Sequence, residues 1–185
     1  MSAAKIAFPG FHSAAAGFEV PLEMLSACHG RVESQCRTLL RLVPHIAANG
    51  PDQAAREAAQ NITRYFDTSA KQHHADEEED LFPALLQATP EAGLAPLREL
   101  VLALQTQHRE LELSWGELRG KLEGVCRGTV RNLDSGEVGR LVELYRLHIA
   151  REESELLPLA ARLLGEAQLD VVGRAMRLRR GIKEI

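Results

Sequence analysis

Seven histidines, His12, His29, His45, His73, His74, His108 and His148, punctuate this sequence of 185 residues. Five of them have a glutamate four places on: His29 with Glu33, His73 with Glu77, His74 with Glu78, His108 with Glu112, and His148 with Glu152. Glutamate makes up roughly one residue in nine, so fewer than about one such match is expected by chance. On a helix this spacing puts an imidazole and a carboxylate on one face, one turn apart, where both can reach a single metal ion. Ordinary surface pairs share the spacing, so placement has to separate ligands from decoys. His108 falls on the same stripe as Val101, Leu104, Leu111 and Trp115. His148 follows Leu141, Leu144 and Tyr145, and His29 lies between Leu25 and Val32. These imidazoles are predicted to face the core, where burying them with carboxylates costs several kcal/mol unless cations are present.

An internal repeat sharpens the choice. HHADEEEDLFPAL (73–85) and HIAREESELLPLA (148–160) align with His first, Glu fifth and Pro eleventh, matching His73, Glu77 and Pro83 with His148, Glu152 and Pro158. His29 precedes His73 by 44 residues and His108 precedes His148 by 40, the plan of two similar helix hairpins. A pseudo-twofold bundle of this kind brings four imidazoles and two carboxylates together. Each of two metals then has two histidines, with Glu77 and Glu152 free to bridge. Nitrogen and carboxylate donors without thiolate favour iron or manganese and leave zinc open.

The elements that must position these residues are helical. Residues 1–20 read as an N-terminal arm. Helix one is predicted from Pro21 to Asn49, disturbed near Pro44 and stopped by Gly50-Pro51. Helix two starts at the N-cap Asp52 and runs to Ala88, bent at Pro83. Residues 89–96 read as a linker, helix three as Pro96 to about Gly124, residues 124–136 as a loop, and helix four as Ser135 to Leu164. A short basic helix and tail occupy 166–185. No strand is indicated. The fold expected is all-α: an antiparallel up-down four-helix bundle over 21–165 with a short C-terminal helix.

Composition narrows the function classes. Hydrophobic residues make up 45% and charged residues 26%, and the formal net charge is −4 with a pI near 6.0. That is the balance of a globular protein with no basic surplus for nucleic acid or anionic membrane. No apolar run reaches about 18 residues, and the opening lacks the pattern of a signal peptide. Cys28, Cys36 and Cys126 form no CxxC pair, which suits a reducing compartment. A cytoplasmic location is expected.

The two H-x-x-x-E strings, each ending in a Leu/Phe-rich segment before proline, resemble the hemerythrin-like HHE cation-binding proteins, non-haem di-iron four-helix bundles, over about residues 17–165. The resemblance implies two iron ions with an oxo or hydroxo bridge. It implies His29, His73, His108 and His148 as terminal ligands and Glu77 and Glu152 as bridging carboxylates. One His per helix is closer to the iron-centre repair proteins than to the oxygen carriers. The carriers have a fifth histidine where this chain has Glu112, and they end in His-x-x-x-x-Asp where it has His148-x-x-x-Glu152. The repair proteins carry a cysteine-containing N-terminal domain that residues 1–20 do not resemble.

Several neighbours stay open as ligands or supporting groups: His74, Glu112 and Glu33. Glu78, Glu79 and Asp80 read as a solvated acidic face, His12 and His45 as surface residues, and Cys28 as a non-ligand. The basic residues Arg174, Arg177, Arg179, Arg180 and Lys183 read as a helix C-terminus complementing its dipole. Three functions follow. One is a di-iron module that binds or senses dioxygen, nitric oxide or peroxide. Another is a redox enzyme or iron donor in repair of damaged iron centres under oxidative or nitrosative stress, fed by an external reductant. The third is a metal-free helical adaptor. Whether the chain is an enzyme, and its oligomeric state, are not legible.

Overall fold

Proline and glycine set the ends of the first helix, α1, Pro21–Asn49. Pro21 sits in the first turn, where a missing N–H costs no helical bond, and Gly50, at φ 69°, turns the chain away after Asn49. The structure, a computed structural model, describes residues 17–182. Most of the arm read from residues 1–20, together with His12 and Lys183, lies outside the described residues. Helix α1 continues without interruption through Pro44, contrary to expectation. Buried Leu39, Leu42 and Ile46 hold the register across the one backbone bond that the proline removes.

The second rod is a chain of short segments: α2, Gln53–Tyr65; a π turn, Phe66–Ala70; α3, Lys71–Ala75; a second π turn, Asp76–Leu81; and α4, Phe82–Ala88. Asp52 caps its start by accepting a hydrogen bond from the Ala55 N–H at 2.8 Å. The predicted linker over 89–96 shrinks to Thr89-Pro90, because α5 spans Glu91–Cys126. Pro96 is the sixth residue of that helix, where its missing N–H removes the bond to the Ala92 carbonyl, and buried Leu97, Leu100 and Val101 hold the register beyond it. After a loop, Asp134 caps α6, Ser135–Arg151, by accepting from the Glu137 N–H at 2.8 Å. A third π turn, Glu152–Leu156, leads to α7, Leu157–Leu163.

The second and third π turns occupy the same place in the two repeats. Each ends two residues before its proline, Pro83 or Pro158. A proline cannot donate the helical bond and its ring crowds the carbonyl four residues back, and a widened turn relieves both demands.

Helix α1 packs against α2 and α6, and α5 packs against the same two, closing a helical bundle. No strand occurs among the described residues. Its interior has two apolar clusters. One centres on Leu39, Ile62, Phe66, Leu118 and Leu141; the other on Leu25, Leu81, Phe82, Leu104 and Leu156. Between them lies a buried polar layer that includes His29, His73, Asp76, Glu77, His108, His148 and Glu152. Among the described residues, no helix is long and apolar enough to cross a membrane.

Helix α8, Glu166–Arg179, packs across the second π turn and α1. Gly173 permits this approach, since a Cβ there would fall 2.0 Å from the Phe18 carbonyl oxygen. The basic end of α8 does more than complement a dipole. Arg179 binds Asp76 at 2.5 Å, Glu79 at 2.7 Å and Asp80 at 2.7 Å, and Arg180 binds Asp76 at 2.6 Å. The acidic run read as a solvated face is therefore a docking surface for α8. Asp76 is fully buried; burial pushes its carboxyl up, and the guanidiniums of Arg180 and Arg179 offset this only in part. The double variant Arg179→Ala/Arg180→Ala is expected to lower unfolding free energy by about 3 kcal/mol, because it leaves that carboxylate buried without a partner. Urea denaturation checks this, and a loss below about 1 kcal/mol would show that α8 docks through its apolar face alone.

Candidate metal centre

The polar layer is built by one side chain or more from each rod: His29 from α1, His73 and His74 from α3, Glu77 from the second π turn, His108 from α5, His148 from α6 and Glu152 from the third π turn. Three sets of donor atoms each converge within 4.8 Å: His29, His73, Glu77 and Glu152; Glu77, His108, His148 and Glu152; and His74, His108 and His148. The six residues singled out from sequence are brought together, and both carboxylates belong to two of the sets.

Close approach here is not hydrogen bonding. His29 Nε2 lies 3.0 Å from Glu152 Oε2, His148 Nε2 3.0 Å from Glu152 Oε1, and His108 Nε2 3.3 Å from Glu77 Oε2. Yet all four carboxylate oxygens of Glu77 and Glu152 lack a partner with hydrogen-bond geometry, as does His29 Nε2. The distances are short but hydrogen-bond geometry is not met, while the donor atoms of each set stay within 4.8 Å of one another. Both glutamates are 0% exposed. Buried oxygens without partners are costly, and a cation at each point of convergence satisfies them. The residues present therefore fit a pair of metal ions.

The outward face of the imidazoles is satisfied in the opposite way. His29 Nδ1–H donates to Glu153 Oε1 at 2.6 Å, His108 Nδ1–H to Glu78 Oε1 at 2.7 Å, and His148 Nδ1–H to Gln107 Oε1 at 3.1 Å. With Nδ1 engaged in this way Nε2 is turned inward, and in the neutral ring it presents the lone pair a metal requires. Glu78 and Glu153 are equivalent in the repeat, and each reaches across to the first helix of the other half. Glu78 thus departs from the solvated role read from sequence. The signal was present in the doubled glutamates, Glu77-Glu78 and Glu152-Glu153. The widened π turns let both members of each pair face inward, which a regular helix does not.

Charge in the layer is frustrated without cations. Burial pulls His29 and His108 down, but the facing carboxylates outweigh it and raise each to about 10. Glu77 is pushed up to about 8, first by burial and then by Glu152. Burial works on Glu152 in the same direction, yet His148, His108 and His29 hold its carboxyl well below the usual range. Burial and neighbouring imidazoles push His73 and His74 well below 6.5.

The open residues now separate. His74 joins the centre: its Nε2 is buried without a partner, and its ring stacks on His108 with centroids 4.0 Å apart. Its place in the other repeat is taken by Ile149, so the pseudo-twofold is broken here. Glu112 is exposed and belongs to none of the donor sets. Glu33 is a surface partner of Arg37 at 3.6 Å. His45 pairs with Asp52 at 3.0 Å, away from the layer, and Cys28 belongs to no donor set.

Comparison with known proteins agrees with this geometry. The profile described as Hemerythrin HHE cation binding domain matches residues 20–160. A protein of Haemophilus influenzae described as uncharacterized is 33% identical over 164 residues, 89% of this chain and 92% of that relative. This chain belongs to the hemerythrin HHE cation-binding family.

Proposed function

We propose that the chain is a non-haem di-iron protein that binds a small diatomic ligand, dioxygen or nitric oxide, at its buried centre. The observation that carries this reading is that Glu77 and Glu152 each stand in both four-residue donor sets, as bridging carboxylates must. His29 and His73 serve one ion, and His108 and His148 the other, in an antiparallel up-down bundle that the ring of helix contacts supports. His74 adds a third imidazole to the second ion only. The first is then left with fewer protein donors and more room for an exogenous ligand. Iron supplies open coordination positions and exchangeable electrons when bound. The chain's own contribution is to fix the ring tautomers through Glu78, Glu153 and Gln107, and to keep water out between two apolar clusters.

His74 also bears on dioxygen carriage. The absence of a histidine at Glu112 argues against a carrier, but a fifth imidazole arrives from α3 instead. Sensing or storage of a diatomic ligand therefore stands ahead of repair.

Protein loaded anaerobically with ferrous iron should hold about two ions per chain and take up about one nitric oxide, seen as new visible absorption. A content of one or none in folded protein removes the dinuclear reading. Two irons with no response to nitric oxide removes the ligand reading.

Substitutions separate ligands from supports. Glu77→Ala and Glu152→Ala should each cost at least one ion. Glu78→Gln and Glu153→Gln should retain both ions with affinity weakened about 10- to 100-fold. Glu33→Ala and His45→Ala should match the parent. Metal analysis after dialysis against graded chelator reads all six, and equal losses in Glu33→Ala and Glu77→Ala would overturn the assignment.

A further inference from the structure

Five consecutive acidic residues, Asp76 to Asp80, lie in the second π turn. Two of them serve the centre, Glu77 in both four-residue donor sets and Glu78 as the acceptor of the His108 Nδ1–H. The other three meet α8. Arg179 reaches them all, at 2.5 Å from Asp76 and 2.7 Å from Glu79 and Asp80. Arg180 grips both oxygens of Asp76, at 3.1 and 2.6 Å, a two-pronged pairing that fixes direction as well as distance. Asp76 is 0% exposed, so these bonds anchor the backbone immediately before Glu77 from inside the protein.

The repeat supplies an internal comparison. In the third π turn Arg151 stands where Asp76 stands, and it pairs with Glu155 at 3.4 Å. That turn has a cation of its own. The second has no lysine or arginine from His73 to Leu85 and takes two guanidiniums from a helix about a hundred residues away. Carboxylates this close repel one another, and cations on either face of the turn make its shape easier to hold for the other. Helix α8 is in turn held by the entry to α1. Arg177 pairs with Glu19 at 3.0 Å, and the guanidiniums of Arg177 and Arg180 lie 5.7 and 5.6 Å from the centre of the Phe18 ring.

We propose that Arg179 and Arg180 are positioning residues of the metal centre and that α8 is a latch on it. Docking of α8 sets the second π turn in the shape that presents Glu77, and an ion on Glu77 holds α8 down. This inference rests on the dinuclear reading above and adds how release of the ions is controlled. By linkage the two effects are equal in size, so whatever lifts α8 favours loss of metal by the same factor.

Zinc serves as the probe, because it takes imidazole and carboxylate donors without redox change. Its affinity for the full chain is measured against a competing chelator, and hydrogen exchange of α8 is followed with and without it. Arg179→Ala/Arg180→Ala should weaken zinc about tenfold or more. Arg174→Ala, which removes an exposed guanidinium of the same helix paired with Asp170, should match the parent. Arg179→Lys/Arg180→Lys, which keeps the charge and loses the two-pronged geometry, should fall between. In the parent, zinc should slow exchange of the α8 amides about tenfold, and in the double alanine variant that slowing should be lost. Zinc affinity within about twofold of the parent in the folded double alanine variant, or α8 exchange that zinc leaves unchanged in the parent, would overturn the proposal. The exchange measurement needs no substitution and decides the matter if the double variant fails to fold. A parent that binds neither zinc nor ferrous iron removes the dinuclear reading and the latch with it, whereas two ions with an indifferent α8 removes the latch alone.

Discussion

Two fully buried carboxylates with no hydrogen-bond donors are the constraint from which the rest of this structure follows. Glu77 and Glu152 lie between two apolar clusters, with all four oxygens unpartnered. Each isolated buried carboxylate destabilises a fold by several kcal/mol. The surroundings are arranged so that cations, and not protein donors, relieve that cost. Imidazoles crowd the oxygens with their Nε2 atoms, while their Nδ1 atoms are taken up by Glu153, Glu78 and Gln107. The second and third π turns, set before Pro83 and Pro158, let consecutive glutamates serve the centre and its supporting ring.

Much of this was legible in the residues. The His-x-x-x-Glu repeat and its trailing proline located both carboxylates and four of the imidazoles, and hydrophobic periodicity placed the long helices. The misses have physical causes. Regular 3.6-residue periodicity does not foresee a π turn, so His74 stayed open and Glu78 read as solvated, whereas His74 lies in the layer and Glu78 bonds His108. Long-range ion pairs leave no mark in local spacing, and the clamp of Arg179 and Arg180 on Asp76 joins residues about a hundred positions apart. Prolines misled as well. Pro44 and Pro96 sit inside helices because flanking apolar contacts outweigh one lost bond.

The pseudo-twofold is broken at two positions of the repeat. The repeat makes two equivalent half-sites, yet His74 is matched by Ile149 and Asp76 by Arg151. The first repeat is therefore richer in imidazole and is also the one clamped by α8. A cavity lined by His74 and His108 opens beside the layer. Although it belongs to the first repeat, His74 joins His108 and His148, so the donor set of His29 and His73 has two imidazoles and the opposite side three.

The central claim is that Glu77 and Glu152 bridge two ions. Anomalous diffraction from iron-loaded crystals tests it most directly. The account predicts two peaks about 3.5–4 Å apart, each within bonding distance of both carboxylates, one beside His29 and His73 and the other beside His74, His108 and His148. A single peak, or two peaks that do not share Glu77 and Glu152, would contradict it.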